Sequence, residues 1–181
     1  TGGVVTLSGV NTLTGAMDIL AGTLAVEGGG LLTSGSVTVN GAGTVLTLGN
    51  TAQSVGAFRL VDGVVEAGTL SATSFGLENG LVSGVLNGAA TVTKSTAGIV
   101  TLSGVNALTG VLNVMGGSLA VVGVGTLTSG SVIVSGAATT LALGNTSQNV
   151  GAFRLVDGVV EAGTLTAASF GLESGLVSGE L

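Results

Sequence analysis

The sequence predicts an all-β protein: a parallel β-helix, or β-solenoid, with about five coils in each 95-residue repeat. Three observations lead to this prediction. The chain contains a long internal repeat, its glycines leave almost no room for helices, and its apolar segments are short and bounded by turn residues. It has 181 residues, of which 35 are glycine, and no proline or cysteine.

The internal repeat is evident from self-comparison. A shift of 95 residues aligns positions 1–86 with 96–181 without a gap, and 62 of these 86 positions are identical. Most differences exchange small or apolar residues, as expected for a shared core. We therefore divide the chain into solenoid unit 1, residues 1–95, and an incomplete solenoid unit 2, residues 96–181. Neither end shows the polar capping unit that usually closes such arrays, so we expect one continuous solenoid cut from a longer array.

Strands are favoured over helices throughout the chain. The longest glycine-free stretch, 89–97, has nine residues, whereas the mean helix has about 11–12. A glycine inside a helix costs about 1 kcal/mol relative to alanine. Short segments rich in Val, Leu and Thr predict strands at these positions and at their copies 95 residues further on: Val4–Leu7, Thr23–Val26, Ser36–Val39, Thr44–Leu48, Ala57–Val61 and Val64–Glu66.

The coils of the solenoid are predicted from a recurring triplet of Gly, a β-branched or hydroxyl residue, and Leu or Val. It occurs at Gly3, Gly22, Gly43, Gly68 and Gly98. With coils stacked at about 4.8 Å, one unit rises by about 24 Å and the whole chain by about 45 Å. An antiparallel sandwich is the alternative fold, because Asn-Gly pairs are typical of tight hairpin turns.

The composition excludes several kinds of chemistry. The chain has no His or Cys, three basic residues and a net charge of −6. Imidazole catalysis, thiol chemistry, zinc fingers and haem ligation therefore have no residues to carry them. Binding to a nucleic-acid backbone is disfavoured as well, because it is driven by Lys and Arg side chains that neutralise the phosphates. The acidic residues are scattered, so we assign no catalytic, cofactor-binding or metal-binding residue and expect no cofactor.

One charged cluster occurs in both copies. Arg59, Asp62 and Glu66 recur 95 residues on as Arg154, Asp157 and Glu161. An acid–base pair of Asp62 and Glu66 would suit polysaccharide cleavage, but residues four apart on a strand are about 13 Å apart. Glycosidase carboxylates are about 5–10 Å apart. We therefore expect a solvated corner pair of Arg59 and Asp62.

Polar ladders are a further possibility. Thr-x-Thr pairs at Thr12, Thr91, Thr126 and Thr164 suggest a hydroxyl face of the kind found in ice-binding solenoids. Their spacing is irregular, however, and Thr12 becomes Ala107, so β-branched residues that simply fill strands are the favoured interpretation. Four asparagines are predicted at corners, where they could stack in ladders: Asn11, Asn50, Asn106 and Asn145.

A family resemblance follows from the phrase STAGIVTLSGVNALTGVLNVMGGSLAV (95–121) and its partner TGGVVTLSGVNTLTGAMDILAGTLAV (1–26). These segments resemble the autotransporter-associated β-strand repeats of bacterial autotransporter passengers and giant surface adhesins. The resemblance implies a right-handed parallel β-helix, secreted by a Gram-negative bacterium and displayed on its surface. This sequence departs from the family at Leu13 and Leu108, where members often carry an aromatic residue.

These observations predict a non-enzymatic extracellular structural protein, a rigid stalk or filament of a surface adhesin. The expected partners are neighbouring repeats or subunits of the same kind, stacked end to end, and glycans of a host or biofilm surface. We expect no nucleic-acid partner and no membrane span in this segment. The alternative is a carbohydrate-active or carbohydrate-binding β-helix protein.

Overall fold

Every regular element among residues 2–181, which the computed structural model describes, is a β-strand. Thr1, with which solenoid unit 1 begins, lies outside the described residues. The strands pair in parallel and wind into a β-solenoid of about 9 turns. The predicted fold class is therefore confirmed.

Each turn contributes one strand segment, here called a rung, to each of three faces. Face A contains β1 (Val4–Leu7), β4 (Thr23–Val26), β9 (Gly80–Val82), β12 (Ile99–Leu102), β15 (Gly117–Val121) and β20 (Leu176–Val177). Face B contains β2 (Val10–Thr12), β5 (Leu31–Thr33), β10 (Val85–Gly88), β13 (Val105–Leu108) and β16 (Thr126–Thr128). Face C contains β3 (Ala16–Ile19), β11 (Thr91–Lys94), β14 (Val111–Val114) and β17 (Ser131–Val134). Five longer strands bend round corners and serve more than one face: β6 (Ser36–Thr47), β7 (Ala52–Glu66), β8 (Thr69–Leu77), β18 (Thr139–Leu155) and β19 (Val159–Leu172).

The register between stacked rungs shows how the turns follow one another. Partner residues are separated by 16 positions between Thr69 and Val85, and by 22 between Thr23 and Val45. Because each named pairing in residues 2–181 is parallel, the antiparallel sandwich is wrong. Five such turns fit one 95-residue unit, as predicted.

Most predicted strands are present, although several of them join. Val4–Leu7 and Thr23–Val26 match β1 and β4 residue for residue. Ser36–Val39 and Thr44–Leu48 fall largely within the single strand β6, whose register shifts after Val39. The strand continues round this corner with a shift in register, and the composition of the two segments does not indicate whether they form one strand or two.

One predicted coil boundary is wrong. The triplet at Gly68 does not begin face A, as those at Gly3 and Gly22 do; it begins face B, where Thr69 lies opposite Ala52. The corner before face A in this turn is at Gly63, next to Val64, which lies opposite Val45. The same Gly–Thr–Leu sequence suits either corner, because both need a glycine followed by a strand.

The core consists of inward columns in which one residue per turn stacks on the next. On face C one column carries the phenylalanines, with Phe58 and Phe75 edge to face at 6.0 Å between ring centroids. Phe153 and Phe170 repeat this contact at 6.1 Å. Most of these apolar side chains are buried, which supplies the main driving force for folding.

Glycine is required at one stacked corner. A Cβ on Gly56 would lie 1.9 Å from the carbonyl oxygen of Gly35, and one on Gly151 would lie 2.2 Å from that of Gly130. Adjacent turns therefore approach here at main-chain distance. Any side chain would force the turns apart.

Candidate functional site

The charged cluster predicted from the repeat bonds to other partners. Arg59, on the outside of face C, pairs with the carboxylate of Glu78 in the following turn. Asp62 accepts a hydrogen bond at 3.0 Å from the Nδ2 atom of Asn79. The predicted pair of Arg59 and Asp62 is therefore wrong, because parallel stacking brings a carboxylate of the next turn within reach of the guanidinium.

The second copy repeats the arginine–glutamate pair, whereas its aspartate has a different partner. Arg154 donates from Nε to an Oε1 oxygen of Glu173 at 2.8 Å. Its side chain passes over Gly171, whose ideal Cβ position is 3.5 Å from the Arg154 Cγ atom. Asp157 accepts a hydrogen bond at 2.8 Å from the main-chain N–H of Gly158. In both copies, an arginine thus forms an ion pair with a glutamate of the following turn. The residue directly opposite the arginine in that turn is a glycine.

The two carboxylates considered for acid–base work belong to different faces. Asp62 lies opposite Asn40 at the end of face C, whereas Glu66 lies opposite Thr47 on face A. Gly63, with φ at 125°, turns the chain between them. The carbohydrate-active alternative stays a prediction, and these contacts add no support to it. Within residues 2–181, no group of three or more His, Cys, Asp or Glu side chains is placed to hold a metal ion.

Two buried glutamine amides on face B, those of Gln53 and Gln148, were not predicted from the sequence. In the part of the chain that the structure describes, β5 and β7 are not joined by a main-chain ladder. Gln53 fills the gap: its Oε1 accepts the Leu32 N–H at 2.6 Å, and its Nε2 donates to the Gly30 carbonyl at 3.2 Å and to Thr51 Oγ1. The side chain therefore replaces a missing strand pairing.

Gln148 makes the same contacts one unit further on. Its Oε1 accepts the N–H of Leu127, and its Nε2 donates to the carbonyl of Gly125 at 3.2 Å. Both glutamines are buried, with 2% of their surface exposed. The sequence does carry a signal for this position: a Gln stands at the same place in both copies, among short apolar segments. A buried polar side chain there must be satisfied by hydrogen bonds.

The asparagine predictions are correct for one pair and wrong for the other. Asn50 and Asn145 stand at corners with φ at 57°, as predicted. Asn11 and Asn106 instead lie within strands β2 and β13. Asn106 points inward, where its Oδ1 accepts the Leu86 N–H at 2.9 Å.

Lys94 is the one charged side chain buried inside the solenoid among residues 2–181. It occupies an apolar column of face C, with Leu77 opposite it in one turn and Val114 in the next. Its Nζ donates to the Gly116 carbonyl at 2.9 Å and to the carbonyl of Thr96. Burial lowers the pKa of the Lys94 ammonium below its usual 10.5, and the carboxylate of Glu78 offsets part of this shift. No sequence pattern predicts that the only lysine lies in the core.

The outer surface carries shallow grooves. One on face C has a volume of about 360 Å³. Its outward lining residues include Ser131, Ile133, Ala152, Arg154 and Ser169. Arg154 is already paired with the carboxylate of Glu173, so its guanidinium is not free to bind an anionic ligand in the groove.

The threonine pairs lie on more than one face. Thr126–Thr128 and Thr164–Thr166 point outward from face B, while Thr91–Thr93 belongs to β11 on face C. The pairs therefore do not form one continuous array, and ice binding remains an untested alternative.

Comparison with known proteins found no match for this chain. No family model, no curated protein and no solved structure matches it. A search for membrane-spanning helices among the described residues found none of sufficient length and hydropathy.

Proposed function

We propose that this chain is part of a non-enzymatic extracellular rod: a rigid stalk or filament of a bacterial surface adhesin of the autotransporter type. The observation that carries the proposal is the parallel stacking of about 9 turns, in which unit 2 repeats the rungs of unit 1. Such a structure grows in one dimension, and each turn contacts only its neighbours. This geometry suits a spacer that holds other parts of a protein apart, rather than a catalyst.

Side-chain chemistry supports the same proposal. Four inward polar side chains, those of Gln53, Gln148, Asn106 and Lys94, bond to main-chain atoms of neighbouring turns. The arginines on the surface are paired with carboxylates. These side chains therefore hold neighbouring turns together, as expected for a structural element.

The rod is tested by its length. Chains that carry one or two further 95-residue units should lengthen by about 24 Å for each added unit in small-angle X-ray scattering, at constant cross-section. A growing cross-section, or a length that does not increase with added units, would contradict the proposal.

Location is tested on the cells that encode the protein. Antibodies raised against this chain should label intact cells, and brief treatment of the cells with protease should remove the label. An antibody against a ribosomal protein serves as the control for intact cells. Labelling that requires permeabilisation would place the chain inside the cell and overturn the extracellular part of the proposal.

A further inference from the structure

The three faces of the solenoid differ in how their turns are joined. Along face A, main-chain ladders join each rung to the next from β1 to β20. Face C is joined in the same way from β3 to β19. Along face B, the ladder within residues 2–181 is interrupted between β5 and β7 and again between β16 and β18. The two interruptions occupy the same step of each unit, so they are a property of the repeat.

A glutamine side chain bridges each interruption. Gln53 contacts the main chain of Leu32 and Gly30, and Gln148 contacts that of Leu127 in unit 2. A side-chain amide is attached through rotatable bonds, whereas a ladder joins two main chains directly. The spacing between the two turns is therefore less constrained at these steps than where a ladder is present.

The corner before each interruption is rich in glycine. It is Glu-Gly-Gly-Gly at 27–30 and Val-Gly-Val-Gly at 122–125. Gly28 and Gly123 have φ at 60° and 63°, and a Cβ on either would have no atom within 4 Å. Val124 is 79% exposed. Short segments of small, loosely packed residues are typical of hinges, because they can absorb changes in φ and ψ.

We propose that the solenoid bends at these two steps, so that the rod has one hinge in each 95-residue unit. Face B opens at the hinge, while the ladders of faces A and C stay joined and act as its spine. Opening breaks the amide contacts of Gln53 or Gln148 and no main-chain ladder. This inference rests on the proposed function as a rod and identifies where that rod is flexible.

The direction of bending follows from the position of the gap. Face B lies opposite the edge at which faces C and A meet, so opening face B curves the rod towards that edge. The core residues Leu32 and Leu127, which are 0% exposed in the closed form, lie at the gap and become accessible to water when it opens. Their main-chain N–H groups then exchange with solvent through a local opening.

Spin-label distances test the hinge. The chain has no cysteine, so introduced pairs can be labelled selectively. Labels on Ser71→Cys and Asn149→Cys are four turns apart and span the interruption between β16 and β18. Labels on Ser54→Cys and Thr128→Cys are also four turns apart and span none. Both separations are about 19 Å along the axis, and pulsed electron spin resonance should give a distance distribution at least twice as wide for the first pair.

A disulfide across the same interruption should hold it closed. Oxidation of the variant Thr128→Cys/Asn149→Cys should slow hydrogen exchange of the Leu127 amide at least tenfold relative to the reduced form, because this N–H is released only when face B opens. The matched control is Ala107→Cys/Thr128→Cys, which links two turns that a ladder already joins. Its oxidation should change this exchange less than threefold.

Equal widths of the two distance distributions would overturn the hinge. Equal slowing by the two disulfides would also overturn it, because Leu127 would then be released by unfolding of a larger region. A chain that lengthens by about 24 Å with each added unit, combined with equal distance widths, would refute the hinge and leave the rod intact. A length that does not grow would refute the rod itself.

Discussion

The side-chain amide of Gln53 occupies the place of a strand partner for Leu32, whose main-chain N–H donates to its Oε1 atom at 2.6 Å. This contact bridges the gap in the ladder between β5 and β7. Gln148 and Leu127 repeat it in unit 2. A parallel solenoid thus tolerates a missing strand pairing when a buried amide supplies both a donor and an acceptor.

Replacing Gln53 with leucine should destabilise the fold by about 2–6 kcal/mol, because the Leu32 N–H and the Gly30 carbonyl are left buried without partners, at about 1–3 kcal/mol each. The substitution nearly keeps the side-chain volume, so packing changes little. Urea unfolding followed by circular dichroism measures this change. Ser54→Ala, at the exposed neighbouring position, is the control and should change stability by less than about 0.5 kcal/mol. A Gln53→Leu variant as stable as the parent would show that the amide is dispensable.

Lys94 should make stability rise with pH in the alkaline range. Because burial lowers the pKa of Lys94 below 10.5, the unfolded chain binds more protons than the folded one between the lowered pKa and 10.5. Stability therefore increases with pH across that window and is lowest below it. The chain has no Cys or Tyr and only this lysine, so no other side chain titrates there.

Thermal unfolding across the alkaline range, up to and beyond the ordinary pKa of lysine, measures this effect, with Lys94→Met as the matched variant. The variant keeps an unbranched apolar stem and lacks the titrating group, so its melting temperature should vary less with pH. Equal slopes for the two proteins would contradict the buried position of the ammonium.

The two copies of one phenylalanine should respond differently to truncation. Phe75→Ala removes a ring enclosed by turns on both sides and should cost about 3–5 kcal/mol. Phe170→Ala removes the corresponding ring in the last turn, which is 40% exposed, and should cost about half as much or less. Chemical denaturation of both variants tests this difference. Equal losses would mean that the last turn is covered in solution.

Arg59→Ala should cost less than about 1 kcal/mol, because solvent-exposed ion pairs contribute little to stability. The Arg59 side chain is 59% exposed, and its ion pair with Glu78 is accessible to solvent and salt. Urea unfolding at low and at high salt measures the effect. A loss as large as that of a core truncation would indicate that the pair organises the turn.

Gly56→Ala should be among the most damaging single substitutions. Its Cβ would lie 1.9 Å from the Gly35 carbonyl oxygen, so adjacent turns would have to separate, which overpacks and strains the stack. Gly76→Ala is the control, because its Cβ would lie at an ordinary 3.6 Å from the Arg59 Cγ atom. Thermal melts of the two variants distinguish them, and similar melting temperatures would contradict the close stacking at this corner.

Much of the fold was predictable because it depends on local chemistry. Glycine spacing prevents helices, and short runs such as Val4–Leu7 and Thr23–Val26 were correctly predicted as strands. The corner at Gly68 was misassigned because identical triplets serve two corners. The merging of Ser36–Val39 and Thr44–Leu48 into β6 was missed because a bent strand and two strands have the same composition.

The candidate site was less predictable, because its contacts join residues about one turn apart. Arg59 was expected to pair with Asp62, on the same strand, yet its partner is Glu78 in the next turn. The positions of Gln53 and Lys94 followed from no local pattern. Their partners, Leu32 and Gly116, are 21 and 22 residues distant in sequence.

The sequence by itself determined that this protein is a repetitive, helix-free stack of short strands with few reactive groups. Periodicity, glycine content and strand propensity are local properties, and they act before any tertiary contact forms. The tertiary structure alone decided which residues meet across turns: the amides that bridge a broken ladder, the ammonium inside an apolar column and the arginine–glutamate pairs. Those contacts depend on register, and register is set only when whole turns stack and bury their columns together.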